Sequence, residues 1–113
     1  MTVQELCDAL KLEVLVDAAP DRKVTGGYCG DLLSWVMGRA PADCAWFTVM
    51  GNVNAIAVAV LADVSCIVLV EDASLDEDAR RKAEAQGVPV LRSGKDAYSL
   101  SLLLGAALDE DAG

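Results

Sequence analysis

The sequence predicts an α/β fold, a single-domain sandwich whose mainly parallel sheet of four to five strands is flanked by helices. Short apolar runs of strand length alternate with helical patterns in the order αβ, loop, α, βα, βα, βα, and such alternation builds parallel sheets. The chain has 113 residues, enough for one hydrophobic core and too few for two. Apolar residues make up 54% of it and charged residues 24%, a balance that folds.

Each element has a local reason. Thr2 and Glu5 form a T-x-x-E capping box, which predicts a helix from Val3 to Leu10. Leu12–Val16 reads as a first strand. Asp17 to Gly30 collects one Pro and three Gly and reads as a loop. A helix over Asp31–Gly38 places Leu32, Leu33, Val36 and Met37 on one stripe. Ala45–Val49 is a second strand, broken by Gly51-Asn52. Val53–Ala62 is apolar nearly throughout. Its alanines, the N-cap Asn52 and the length of a parallel crossover favour helix over strand. Such a helix is expected to be buried, in part against a second subunit.

Cys66–Val70 is a continuous apolar run, as a central strand covered on both faces requires. Ser74-Leu75-Asp76-Glu77 reads as a second capping box, and Gly87 ends the helix that follows. The charges of that helix, from Asp76 to Lys82, mark a solvated face. Val88–Leu91 is a short strand whose Pro89 suggests an edge position or a strand start. The last helix covers Asp96–Leu108. The domain is thus expected over residues 1–108, with residues 109–113 as a frayed acidic tail.

Composition excludes several functions. Nine basic against eighteen acidic residues give a net charge of −9, which argues against nucleic acid or an anionic membrane surface as partner. There is no histidine, hence no Ser/His or Cys/His catalytic unit and no His-based metal site. The four cysteines contain no CxxC pair and read as free, buried thiols of a reducing cytoplasm. No metal or cofactor is expected. The first residues lack the basic and apolar regions of a signal peptide. The uncharged stretch Cys44–Ala62 approaches the ~20 residues of a membrane span. Gly51, Asn52 and Asn54 in its middle favour a strand followed by a helix.

In open parallel sheets, ligands bind beyond the carboxyl ends of the strands. Four segments are expected to meet there: the loop with Thr25, Gly26 and Gly27; Met50-Gly51-Asn52, with Asn54; Glu71-Asp72; and Arg92–Lys95. The helix N-termini after these loops add N–H donors for an anion. Each feature also has a plain structural explanation: turn geometry for the glycines, a helix cap for Asn52, surface charge for Arg92 and Lys95. Trp35 and Trp46 read as core or interface. The only Gly-Lys pair, Gly94-Lys95, is followed by Asp96 and lacks the upstream glycine of a P-loop. No GxGxxG follows a strand.

The run Asp21-Arg22-Lys23-Val24-Thr25-Gly26-Gly27-Tyr28 resembles the signature of the DRTGG domain family. The blocks Gly30–Met37 and Asn52–Leu61 are similar to the same family, so that the resemblance spans residues 3–106. It implies an accessory module of a bacterial or archaeal cytoplasm, of the kind found in CBS-domain pyrophosphatases, where it contributes dimer contacts, and in some phosphotransacetylases. It also implies a fold similar to the N-terminal domain of HPr kinase/phosphorylase, without the P-loop domain that carries the kinase chemistry.

The expectation is therefore a non-catalytic, homodimeric regulatory or assembly module. Its small anionic or nucleotide-like ligand would lie near Arg22, Thr25, Gly26, Gly27, Asn52, Asn54 and Lys95. One alternative is a partner subunit of a larger metabolic or redox enzyme. The other is a small phosphate-handling enzyme working through Glu71 and Asp72, with Thr25 as acceptor or ligand holder.

Overall fold

A computed structural model describes residues 1–112. Five strands form one sheet in the order β1-β5-β4-β3-β2: β1 Glu13–Val16, β2 Gly26–Cys29, β3 Cys44–Thr48, β4 Cys66–Leu69 and β5 Val90–Arg92. Strands β2 to β5 are mutually parallel, and β1 pairs antiparallel with β5. The expected mainly parallel α/β sandwich is therefore present.

Each parallel strand sits beside its successor, so the three crossovers all step the same way across the sheet. Their helices, α2 Leu33–Arg39, α3 Val53–Ala62 and α4 Glu77–Gln86, cover one face. There Val36, Ile56, Val58, Ala79 and Ala83 pack on Trp46, Ile67, Leu69 and Val90. Helices α1 Val3–Leu10 and α5 Ala97–Ala112 cover the other face, where Leu6, Leu10, Leu100 and Leu104 pack on Phe47, Val68 and Leu91. Every residue of β3 and β4 is buried, as a strand covered on both sides must be.

Several helix ends follow the sequence. Thr2 and Glu5 form their reciprocal capping box, Asn52 Oδ1 accepts the Ala55 N–H at 2.9 Å, and Gly87 ends α4 at φ 70°. Other expectations are corrected. Gly26–Cys29, read as loop, is the edge strand β2. Neither Gly26 nor Gly27 has the positive φ of a turn glycine. Gly27 serves close approach instead, since a Cβ there would stand 2.8 Å from Leu104 Cδ2 of α5.

Helix α4 begins at Glu77 with Asp76 as a cap that makes no side-chain hydrogen bond, so the second capping box does not form. The Asp76 N–H is satisfied by the Gly51 carbonyl at 2.8 Å. Pro89 stands just before β5, and β5 lies inside the sheet between β1 and β4. Helix α2 turns Val36 inward but leaves Leu32 and Met37 exposed. Helix α5 continues through the acidic residues to Ala112, where the Met1 ammonium meets Asp111 at 2.7 Å. Trp46 and Phe47 are core residues, which removes them as a surface for a second subunit.

Gly51 tests how the β3–α3 connection is built. A Cβ there would overlap the Ser74 carbonyl, which is backbone and cannot rotate away. Gly51→Ala is expected to cost about 2–3 kcal/mol in urea unfolding, from overpacking alone. A loss below about 0.5 kcal/mol, the scale of an ordinary surface change, would show that the loop yields instead.

Candidate functional site

Because β1 runs antiparallel to β5, it ends at the amino side of the parallel strands. The segment Asp17–Thr25 therefore crosses beneath β5, β4 and β3 before entering β2. Arg22 lies at its centre. Its guanidinium donates to Asp43 Oδ1 at 2.9 Å, to Asp63 Oδ1 at 3.0 Å and to the Asp63 carbonyl at 2.9 Å. Burial opposes the charge of Arg22, and the hydrogen bonds to the two carboxylates outweigh it, holding the group protonated beyond its ordinary range. Asp43 precedes β3 and Asp63 ends α3, both with left-handed backbone at φ 64° and 59°.

The neighbouring residues complete the closure. The Thr25 N–H donates to the Asp43 carbonyl at 2.9 Å, and its hydroxyl reaches the same oxygen at 3.4 Å. The Ser65 hydroxyl donates to the Lys23 carbonyl, and the Val24 N–H to the Met1 carbonyl at 2.7 Å. A cavity of about 150 Å³ lies beside Arg22, lined also by Ala19, Ser65, Gln86 and Pro89. Two carboxylates face one guanidinium here, so the local charge is negative and disfavours an anion.

The expected site residues are thus divided between opposite ends of the sheet. Arg22, Thr25 and Gly26 stand at or near the amino ends of the parallel strands, with Gly27 the next residue of β2. Asn52, Asn54 and Lys95 belong to the carboxyl rim. Asn52 acts as the cap of α3, and Asn54 is exposed in its first turn. Glu71 and Asp72 follow β4 in left-handed backbone at φ 54° and 57°. Their N–H groups donate to the carbonyls of Lys95 and Ser93 at 2.9 and 3.0 Å. Both side chains are exposed. Arg92 is engaged by Glu13 at 3.0 Å across the β1–β5 pair.

Lys95 is different. With Lys11, Ser93, Ala9, Leu10 and Leu103 it lines a cavity of about 250 Å³, at the corner where α1 ends against the β5–α5 loop. A further cavity of about 200 Å³ opens between the β2 edge and α5, with Cys29, Ser101, Leu104 and Leu108 in its wall.

A further surface feature is apolar. Leu32, Trp35 and Met37 of the α2 segment and Val60 and Leu61 of α3 are all exposed, Leu61 by 70%. Arg39 stacks on Trp35 with its guanidinium carbon 3.8 Å from the ring centre. The apolar run of α3 marks it as needing cover; the Leu32–Met37 stripe predicts an inward face for α2, whereas Val36 is buried and Leu32 and Met37 are exposed.

Three of the cysteines are buried. Burial holds the Cys44 thiol up at about 11 and pushes Cys7 and Cys66 in the same direction. Cys29 is exposed on β2 with its sulfur 3.1 Å from the Ser101 hydroxyl. Among the described residues no group of His, Cys, Asp and Glu is arranged to hold a metal, and no helix is long and apolar enough to cross a membrane.

The fold and its surface define a three-layer α/β module with one end of the sheet strapped shut and an apolar helical face left open. The DRTGG domain model matches residues 44–107, more than half of the chain, and the chain belongs to that family. The matched part includes the Asn52–Leu61 helix and lies wholly after Asp21–Tyr28. Among curated proteins none matches. Among solved structures the chain is similar to the CBS and DRTGG domains of the regulatory region of a Clostridium perfringens pyrophosphatase, complexed with its activator diadenosine tetraphosphate. The TM-score is 0.70 at 10% identity, over 96% of this chain and 49% of that one. The chain therefore spans about half of that structure, and the likeness at this identity is one of fold.

Two outcomes follow from this geometry. Arg22→Ala should lower unfolding free energy by about 1–2 kcal/mol, since it strands two partly exposed carboxylates and a carbonyl. Arg22→Lys should recover only part of this, because its ammonium ends about one bond short of the guanidinium nitrogen that makes all three contacts. A full recovery in chemical denaturation would contradict the bridging role. In native protein at pH 8, a thiol reagent followed by mass spectrometry should label Cys29 alone; fast labelling of Cys44 or Cys66 would contradict their burial.

Proposed function

We propose that this domain is a non-catalytic regulatory and assembly module that works as a homodimer and takes a small anionic ligand. One observation carries the reading. The α2 and α3 sequences contain no acidic residue and a single charge, Arg39, in a chain of net charge −9. Two copies this acidic repel each other over most of their surface. The exposed Trp35, Met37, Val60 and Leu61 offer a face on which they meet without acid opposing acid. An isologous contact uses the same patch twice, so it needs no other partner chemistry.

Family membership supports a regulatory rather than a catalytic role. The similar fold in a pyrophosphatase regulatory region complexed with diadenosine tetraphosphate supports a ligand-carrying one. The ligand is not expected at Thr25-Gly26-Gly27, where hydrogen bonds and carboxylates already occupy the cations and donors.

Leu61 is the residue to test, because Val58 belongs to the core of the single chain and a charge there unfolds it. Size-exclusion chromatography with light scattering at micromolar concentration should give a dimer for the native chain. Leu61→Asp should give a monomer with its melting temperature within a few degrees of native, as an exposed site allows. A native monomer, or a Leu61→Asp dimer, would sink the assembly reading.

A further inference from the structure

The corner between α1 and the β5–α5 loop brings two lysines to the wall of one cavity. Arg22, Arg80, Arg81 and Arg92 each have a carboxylate within 4.0 Å, whereas among the described residues Lys11, Lys23, Arg39, Lys82 and Lys95 have none; two of these, Lys11 and Lys95, meet at one corner. Both line the same cavity of about 250 Å³. Two ammonium groups brought to one concavity repel each other, and neither forms an ion pair within 4.0 Å. Asp96, next to Lys95, is spent on the cap of α5, where its carboxylate accepts the Ser99 N–H at 2.7 Å and is held below the usual range by that bond.

The remaining wall is chemically divided. Ser93 Oγ accepts the Lys95 N–H at 3.1 Å, which leaves its own proton free to donate. Leu10 and Leu103 form an apolar side, and Leu103 is 40% exposed. Lys11 sits in left-handed backbone at φ 55° as the C-cap of α1, with its N–H on the Cys7 carbonyl, so its position is fixed by the helix end.

We propose that this corner binds a small phosphomonoester, with the phosphate between Lys11 and Lys95, a hydrogen bond from Ser93, and a short apolar body against Leu10 and Leu103. Lysine ammonium groups suit phosphate as point charges, and the cavity holds a group of about one aromatic ring beside it. The site rests on the ligand half of the proposed function and is independent of the dimer contact, which lies on the opposite face of the sheet.

The probes are phenyl phosphate and inorganic phosphate, followed by calorimetry and by amide shifts in heteronuclear NMR. Phenyl phosphate should bind more tightly than inorganic phosphate, with shifts centred on Lys11 and Ser93–Lys95. The pair Lys11→Gln and Lys95→Gln, which keeps the alkyl stems, should weaken phenyl phosphate about tenfold or more. Leu103→Ala should weaken phenyl phosphate and leave inorganic phosphate unchanged. Lys82→Gln, on the exposed face of α4, should change neither.

No binding of either probe at millimolar concentration, shifts centred elsewhere, or an equal loss in Lys82→Gln would overturn the site. Light scattering on the same samples separates the two readings. A native monomer that binds phenyl phosphate supports this site and overturns the dimer, whereas a native dimer that binds neither probe overturns the site alone.

Discussion

The Arg22 guanidinium ties together three pieces of chain: the crossing segment after β1, the entry to β3 and the exit from α3. The need for it follows from the direction of β1. An antiparallel first strand deposits the chain at the wrong end of the sheet for a direct return, and the next free edge, beside β3, lies three strands away. The crossing segment must be pinned against the strand ends it passes. The long Arg22 side chain holds the left-handed corners Asp43 and Asp63 at once through one guanidinium nitrogen. The Asp63 carbonyl also accepts the Asp43 N–H at 3.0 Å, so the two corners are bonded to each other as well as to Arg22.

Strapping the amino end in this way fixes where the molecule remains available. Glu71, Asp72, Ser93 and Lys95 lie at the carboxyl rim, where the β4–α4 and β5–α5 loops bond to each other through backbone groups and leave side chains outward. The apolar face of α2 and α3 lies to one side of the sheet and the Lys11–Lys95 corner to the other. The two features therefore compete for no residue. A ligand at the corner touches α1 and the start of α5, and α5 in turn packs on the β2 edge through Leu104 against Gly27.

Much of this was legible in the residues. The α/β class, the burial of β4, the Thr2–Glu5 box, the Asn52 cap and the Gly87 stop all follow from local pattern, because each depends on neighbours within a few positions. What escaped depends on partners far along the chain. Gly26-Gly27-Tyr28-Cys29 has the composition of a turn and becomes a strand only because β3 offers a free edge and α5 needs a strand without a Cβ at Gly27. The direction of β1 is a tertiary choice that four residues cannot announce. Reversing it moved Arg22 and Thr25 to the end of the sheet opposite Asn52 and Lys95. The Ser74–Glu77 box failed for a similar reason, since the Gly51 carbonyl takes the Asp76 N–H and sets the start of α4 from outside the helix.

The same dependence gives residues of the family signature structural work within the fold. Thr25 and Gly27 serve closure, through a hydroxyl on the Asp43 carbonyl and a missing Cβ beneath Leu104, while a Cβ at Gly26 would meet open space. In that run Arg22 and the Thr25 donors are engaged within the fold, whereas Lys23 is exposed. Lys11 and Lys95 belong to no motif and look unremarkable as sequence. They share one cavity only because the fold brings the end of α1 to the β5–α5 loop, a meeting of segments some eighty residues apart that no local pattern announces.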